Sequence, residues 1–280
     1  MTSPLPKRFG HDGVELAVRD EGEGQPVLLL HGFPDTHELW RHQVAALTAA
    51  GFRTIAPDLR GFGASDRPGS YDVGAHVGDL LGVLDRLEVP AAHVVGHDWG
   101  AAIGWTLAAL APDRVRSQVA LSVGHPAAFR RGGFAQREKS WYMLLFQFEG
   151  VAEQWLSADG FANLREWSGH PDADPVIARL AEPGALTAAL GIYRDSLPPS
   201  SLVAPPPALP PITAPTLGVW SSGDRFLIEE PMIASGAYVT GPWTYARVED
   251  AGHWMQLDRP HALNRLLLDF LTRVESPARL

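Results

Sequence analysis

The sequence predicts an α/β fold: a mostly parallel sheet with helices on both faces, interrupted by a helical insertion. Three observations carry that prediction. Along residues 14–123, short apolar runs ending in turns alternate with amphipathic stretches, the pattern of strand–helix–strand units in a parallel sheet. Between 126 and 211 the alternation stops, and aromatic-rich helical segments with no convincing strand replace it. From 215 the alternation resumes and ends in an amphipathic C-terminal helix. The expected organisation is a core in two parts, 1–125 and 212–280, with 126–211 inserted as a helical unit.

Taken in order, residues 14–19 alternate and end in Glu21-Gly22-Glu23-Gly24, which reads as a partly exposed strand and turn. Residues 26–30 form a continuous apolar run, expected of a strand buried on both faces. It ends in His31-Gly32-Phe33-Pro34, where Pro34 is a candidate for a cis bond. A helix with Trp40, Val44 and Leu47 on one face follows, then a strand at 53–57 and a Gly-rich loop at 58–65. Val73, Val77, Leu80, Leu81 and Leu84 mark the next helix by their three-to-four spacing. A strand at 92–96 feeds a sharp turn, and the helix behind it carries Ile103, Leu107 and Leu110 until Pro112 stops it. The strand at 115–123 completes the first half.

Within the insertion, Trp141, Tyr142, Leu145 and Phe146 lie near one helical face, and Trp155, Phe161, Leu164 and Trp167 continue the apolar theme. So many large aromatics argue against a disordered linker. Pro198-Pro199, Pro205-Pro206-Pro207 and Pro210-Pro211 predict a stiff, extended return to the sheet. The strand at 215–220 then ends in Ser221-Ser222-Gly223-Asp224, a helix covers 228–237, and the strand at 243–248 ends in Asp250-Ala251-Gly252-His253. Asp258 is placed to cap the last helix, with Pro260 in its first turn and Leu263, Leu266, Leu267 and Phe270 on its buried face.

Bulk properties narrow the function classes. A hydrophobic content of 45% and a charged content of 20% over 280 residues are ordinary for a soluble globular protein. A net charge of −9 argues against a nucleic-acid binder and against docking on an anionic membrane surface. The absence of Cys excludes disulfides, a thiolate nucleophile and a Cys-based metal site, and suits a reducing cytoplasm. Residues 1–10 lack an apolar stretch of signal-peptide length, and the run Val27-Leu28-Leu29-Leu30 is too short to span a bilayer. A cytoplasmic protein is the expectation.

The chain is organised around Val94-Val95-Gly96-His97-Asp98-Trp99-Gly100-Ala101: an apolar strand, a Gly-x-Asp-x-Gly turn and an Ala-rich helix. Small residues at Gly96 and Gly100 let strand and helix approach closely and tolerate a strained turn. The turn lifts Asp98 out of the sheet beside the positive end of the helix. A carboxylate is already anionic at neutral pH and suits attack on an sp3 carbon. By itself Asp98 also fits an ordinary helix cap. Asp224 and His253 likewise each follow a strand end, and ligands of parallel sheets sit at those carboxyl ends. In isolation His253, one of 11 histidines, reads as a loop residue and Asp224 as a turn residue. Jointly they supply a base and the acid that orients it. Asp250 and Asp258 compete for the acid role but read as a turn residue and a helix cap. An oxyanion hole needs two converging N–H groups; Trp99 supplies one and Phe33 the other.

On His31-Gly32-Phe33-Pro34, Gly96-His97-Asp98-Trp99-Gly100 and Asp250-Ala251-Gly252-His253-Trp254, the chain resembles the epoxide hydrolases of the α/β-hydrolase superfamily over nearly its whole length. The order nucleophile, acid, base is that of the superfamily. The resemblance implies that 126–211 is a cap domain over Asp98, and that two cap tyrosines hold the epoxide oxygen. The insertion has two tyrosines, Tyr142 and Tyr193, and their surroundings look like the family's two tyrosine helices. It departs from the family at Glu149, where Pro is more usual before Gly150, and at Ile192, where an aromatic is more usual; both concern pocket shape. The implied reaction takes a small-molecule epoxide and water to a diol through an ester on Asp98, with neither cofactor nor metal. Trp99, Trp141 and Phe33 imply an apolar substrate, aryl-bearing epoxides included. Two other readings remain. A haloalkane or haloacid dehalogenase shares the Asp-His-Asp logic and fits Trp99, but Phe33 replaces the Asn of the haloalkane group and Trp99 the Arg of the fluoroacetate group. A ligand-binding scaffold without catalysis would not need Asp224 and His253 together.

Overall fold

The structure is a computed structural model that describes residues 7–205 and 208–276. Its strands are β1 (Lys7–His11), β2 (Val14–Glu21), β3 (Gln25–Leu30), β4 (Phe52–Pro57), β5 (Ala92–His97), β6 (Val115–Leu121), β7 (Thr216–Ser221) and β8 (Trp243–Val248). They form one sheet in the order β1-β2-β4-β3-β5-β6-β7-β8. β1–β2 and β2–β4 pair antiparallel, and every later pair is parallel. β5 and β7 are buried along their whole length, as interior strands with helices on both faces are.

The core helices are α1 (Arg41–Ala49) and α2 (Val73–Arg86), followed by α3 (Trp99–Leu110). Between β6 and β7 the elements are all helical: α4 (Pro126–Arg130), α5 (Gly133–Lys139), α6 (Trp141–Leu145), α7 (Val151–Ser168), α8 (Ala173–Leu180), α9 (Ala185–Ser196) and a 3-10 turn at Pro199–Leu202. α7 is broken at 158–161, where Asp159, Gly160 and Phe161 adopt positive φ. The chain closes with α10 (Glu230–Ala234), α11 (Met255–Asp258) and α12 (Pro260–Glu275). No helix among the described residues is long and apolar enough to cross a membrane.

The strand order reverses direction at β3–β5, where Leu30 pairs with Gly96. Chain segments leaving the carboxyl ends of these two strands diverge to opposite sides and leave a crevice between them. His31-Gly32-Phe33-Pro34 and Asp98 flank that crevice. α3 packs behind it through Ile103, Trp105, Leu107 and Ala108, all buried.

Four details differ from the sequence reading. β1 was not expected, because KRFGH carries one large apolar residue; it forms by antiparallel pairing with β2 at the sheet edge. The expected 228–237 helix is the short α10 followed by a 3-10 turn at Ser235–Tyr238. The Pro-rich return is not extended throughout: Pro199 starts a 3-10 turn, since its fixed φ suits a first helical turn, while Pro206 and Pro207 lie outside the described residues. Asp258 does not cap α12. Arg259 holds the N-cap position, and the Asp258 carboxylate instead accepts the Gly252 N–H at 2.8 Å.

Three buried histidines make stability pH-dependent. Burial pushes His76 down to about 3 and His125 to about 4. Burial, then the neighbouring His253, pushes His97 down to about 4. Unfolded, these imidazoles take up protons below about 6.5. Their contribution is complete above that value and is lost as pH falls toward the folded values. The thermal midpoint should therefore fall between pH 6.5 and 4, with a shallower slope in His125→Gln, as read by calorimetry across that range.

Candidate active site

The β5–α3 turn sets the site. Asp98 has φ 53°, a left-handed value unfavourable for a residue with a Cβ. The surroundings enforce it: α3 lies so close to β3 that a Cβ on Gly100 would overlap the Leu30 carbonyl. Gly32 is equally constrained, because a Cβ there would press on Asp98 Oδ1 and the Trp99 nitrogen. The close approach brings the Phe33 N–H to Asp98 Oδ1 at 2.9 Å. The Phe33-Pro34 bond is cis, as the sequence reading anticipated.

Two loops complete the constellation. The loop after β7 carries Asp224, whose Oδ1 accepts the Phe226 and Leu227 N–H groups at 2.8 and 3.0 Å. Its Oδ2 meets Nδ1 of His253 at 2.9 Å. His253 Nε2 then faces Asp98 Oδ2 at 3.7 Å. Burial raises the Asp224 carboxyl, but the His253 charge and its hydrogen bonds outweigh that and hold it below the ordinary carboxylate value. Burial lowers His253, yet Asp224, and then Asp98, overcome it and raise the imidazole to about 10. The resting centre is thus carboxylate, imidazolium, carboxylate. One Asp98 oxygen is tied to a backbone donor, and the other is turned toward the imidazolium.

Tyr142 and Tyr193 are both buried, from α6 and α9, with ring centroids 6.2 Å apart. Burial, then the Asp98 charge, raises both phenols well above their ordinary value, so they remain protonated donors. A cavity of about 490 Å³ is lined by Asp98, Trp99 and Tyr142. Tyr193 is edge-on to Trp99 at 5.0 Å and to Phe33 at 5.5 Å.

The structure thus brings Asp98, Asp224, His253, Tyr142, Tyr193, Phe33 and Trp99 together. Trp141 departs from its expected place. It is 49% exposed, rests edge-on against Trp155 at 5.8 Å and does not line the Asp98 cavity. α6 is a single short turn, and burying Tyr142 rotates its neighbour outward.

Three supporting residues were not found by sequence reasoning. Asp35, buried, accepts from Trp254 Nε1 at 2.8 Å and contacts His170 Nε2 at 3.0 Å. His170 Nδ1 accepts the Asp172 N–H, so its Nε2 carries the hydrogen toward Asp35. Asp35 therefore ties the loop after β3 to the helical insertion and to the residue after His253. His97 Nε2 meets the His253 carbonyl at 2.9 Å and, being neutral, donates to it. His170 has no spacing signal; His97 is visible only as a member of Gly96-His97-Asp98-Trp99-Gly100, and Asp35 only as the residue after His31-Gly32-Phe33-Pro34. Among the described residues no cluster of His, Asp and Glu could hold a metal ion.

The sequence profile of the alpha/beta hydrolase fold matches residues 25–260. Epoxide hydrolase A of Mycobacterium tuberculosis is 33% identical, covering 98% of this chain and 99% of that protein. An epoxide hydrolase of Caballeronia sordidicola is 31% identical, covering 95% and 93%. Among solved structures, the Bacillus megaterium epoxide hydrolase with an inhibitor superposes with a TM-score of 0.86 at 28% identity, covering 95% of this chain and 100% of that one. A variant of the Bacillus megaterium enzyme was solved with its product, a naphthyloxy-propane-1,2-diol.

The two carboxylates make one electrostatic prediction. Asp98→Asn removes one of the charges that raise His253. Its apparent pKa should fall measurably below about 10, as followed by NMR titration of the ring, while the Asp224 contact keeps the Nδ1 hydrogen in place. An unchanged titration would mean that Asp98 does not act on the imidazole.

Proposed function

The chain belongs to the α/β-hydrolase fold family, among its epoxide hydrolases, and from that premise we propose a two-step hydrolysis through an ester on Asp98. Residues 126–211 act in it as a cap that carries Tyr142 and Tyr193 over the nucleophile. The observation that carries this reading is the division of labour at Asp98: Oδ1 bound by the Phe33 N–H, Oδ2 facing His253, and two protonated phenols nearby.

In the first step Asp98 Oδ2 attacks an epoxide carbon and the ring C–O bond breaks. Tyr142 and Tyr193 donate hydrogen bonds to the departing oxygen. Esterification removes the Asp98 charge, and with it part of what holds the proton on His253. His253 releases that proton, which balances the one taken up by the new hydroxyl. The neutral imidazole, oriented by Asp224, then takes a proton from water as the water attacks the Asp98 carbonyl carbon. The Phe33 and Trp99 N–H groups stabilise the oxyanion on Oδ1. Collapse releases the diol and restores the carboxylate and the imidazolium.

The apolar cavity over Asp98, and the aryl-bearing diol bound by the Bacillus megaterium relative, support an apolar, aryl-tolerant epoxide as substrate. His253→Gln should be alkylated without turning over, so its intact mass should rise by that of one epoxide. Tyr193→Phe should lower kcat by roughly 10²-fold, the order expected for one lost donor at a developing oxyanion. Diol formation by Asp98→Asn at the native rate, or no adduct in His253→Gln, would overturn the ester mechanism. Halide release from a haloalkane without diol formation would point to carbon–halogen cleavage.

A further inference from the structure

The space over Asp98 is one-sided. Toward one side it follows α3, whose residues Trp99, Ala102 and Thr106 line it at helical spacing. Thr106 Oγ1 donates to the Ala102 carbonyl at 3.0 Å, which satisfies the hydroxyl. From Asp98 to Thr106 is eight residues, about 12 Å at the rise of an α-helix. Phe129, Met143 and Leu197 add apolar lining, and Asp72, Arg130 and Asp195 supply its charged lining. The channel therefore accepts one long apolar substituent.

The other side is filled by packed aromatic rings, those of Phe33, Phe146, Trp167 and Phe226. Their rings touch one another: Phe33–Phe146 at 5.7 Å, Phe146–Trp167 at 5.4 Å and Trp167–Phe226 at 5.2 Å. The wall closes on the catalytic groups, with Trp167 4.8 Å from the Tyr142 ring and Phe226 5.1 Å from His253. At such separations aromatic rings are in van der Waals contact. Behind the wall lies a second cavity of about 620 Å³, open to the surface and lined by the same Trp167 and Phe226, together with Trp141 and Trp155. Both rings pack on Tyr142, which lines the first cavity: Trp167 at 4.8 Å and Phe226 at 5.5 Å.

We infer that the enzyme selects monosubstituted (terminal) epoxides bearing one elongated apolar group, and that Trp167 and Phe226 impose this selection by closing the far side of Asp98. This inference rests on the epoxide-hydrolase reading above. With the substituent along α3, the second ring carbon faces the aromatic wall and has room for hydrogen only. A methyl group there must displace packed rings. Discrimination by a single carbon in an apolar site reaches about 10²-fold.

The test compares kcat/KM for styrene oxide and trans-β-methylstyrene oxide, which differ by that methyl. The wild-type enzyme should favour styrene oxide by about 10²-fold. Trp167→Leu should reduce the ratio at least tenfold by removing ring volume from the packed wall beside Tyr142, and the milder Trp167→Phe should reduce it less. Circular dichroism checks that each variant is folded, and the wild-type ratio decides the question if neither is. Wild-type activities within threefold of each other would overturn the inference while leaving the ester mechanism standing, as would an unchanged ratio in a folded Trp167 variant. No turnover of either epoxide, with no adduct in His253→Gln, would overturn the underlying mechanism and the inference with it.

Discussion

The close contact between the β5–α3 turn and the end of β3 is the constraint on which the rest of the structure depends. Leu30 pairs with Gly96 in the sheet, and the Leu30 carbonyl lies where a side chain on Gly100 would have to go. That contact holds Asp98 at positive φ and directs its carboxylate to the Phe33 N–H. Strain of this kind costs on the order of 1–3 kcal/mol and persists where the surroundings over-determine it. Here they are two buried parallel strands and a helix packed on both. The geometry of Asp98 is therefore a property of the sheet.

The second organising feature is electrostatic. Three ionisable groups, Asp98, His253 and Asp224, are buried together. Removing charges from water is costly unless each finds a partner. Asp224 takes two backbone N–H groups and the His253 ring, while Asp98 takes the Phe33 N–H and faces the same imidazole. Alternating signs keep the cluster neutral apart from one excess negative charge. In the proposed mechanism, esterification of Asp98 would neutralise that charge and change the environment of His253.

The helical insertion is fastened at the catalytic end of the core. Asp35 joins the loop after β3 to His170 and to Trp254, next to His253. Burial opposes ionisation of Asp35, but the His170 contact and the neighbouring donors hold its carboxyl below the ordinary value. Lys139 adds a bond from α5 to the Asp224 carbonyl at 2.6 Å. The aromatic rings beneath the insertion then fill one side of the site and leave the other open along α3.

The sequence alone determined the sheet and the chemical groups at its ends. Apolar runs such as 26–30 and 92–96 predict strands buried on both faces, and the Gly-x-Asp-x-Gly turn predicts that Asp98 leaves the sheet between strand and helix. Asp224 and His253 were legible only jointly, because each follows a predicted strand end and together they supply an acid and a base. Local pattern did not reach what depends on contacts between distant segments. β1 exists because β2 offers it an edge, and Asp258 serves Gly252 rather than the last helix. Trp141 and Tyr142 are neighbours in one short turn, and only packing against Trp167 and Phe226 decided which of them entered the site. The closed side of the cavity likewise arises where rings from the loop after β3, the insertion and the loop after β7 meet. Periodicity reports how a residue faces within its own element; the shape of a cavity is set by what other elements place opposite it.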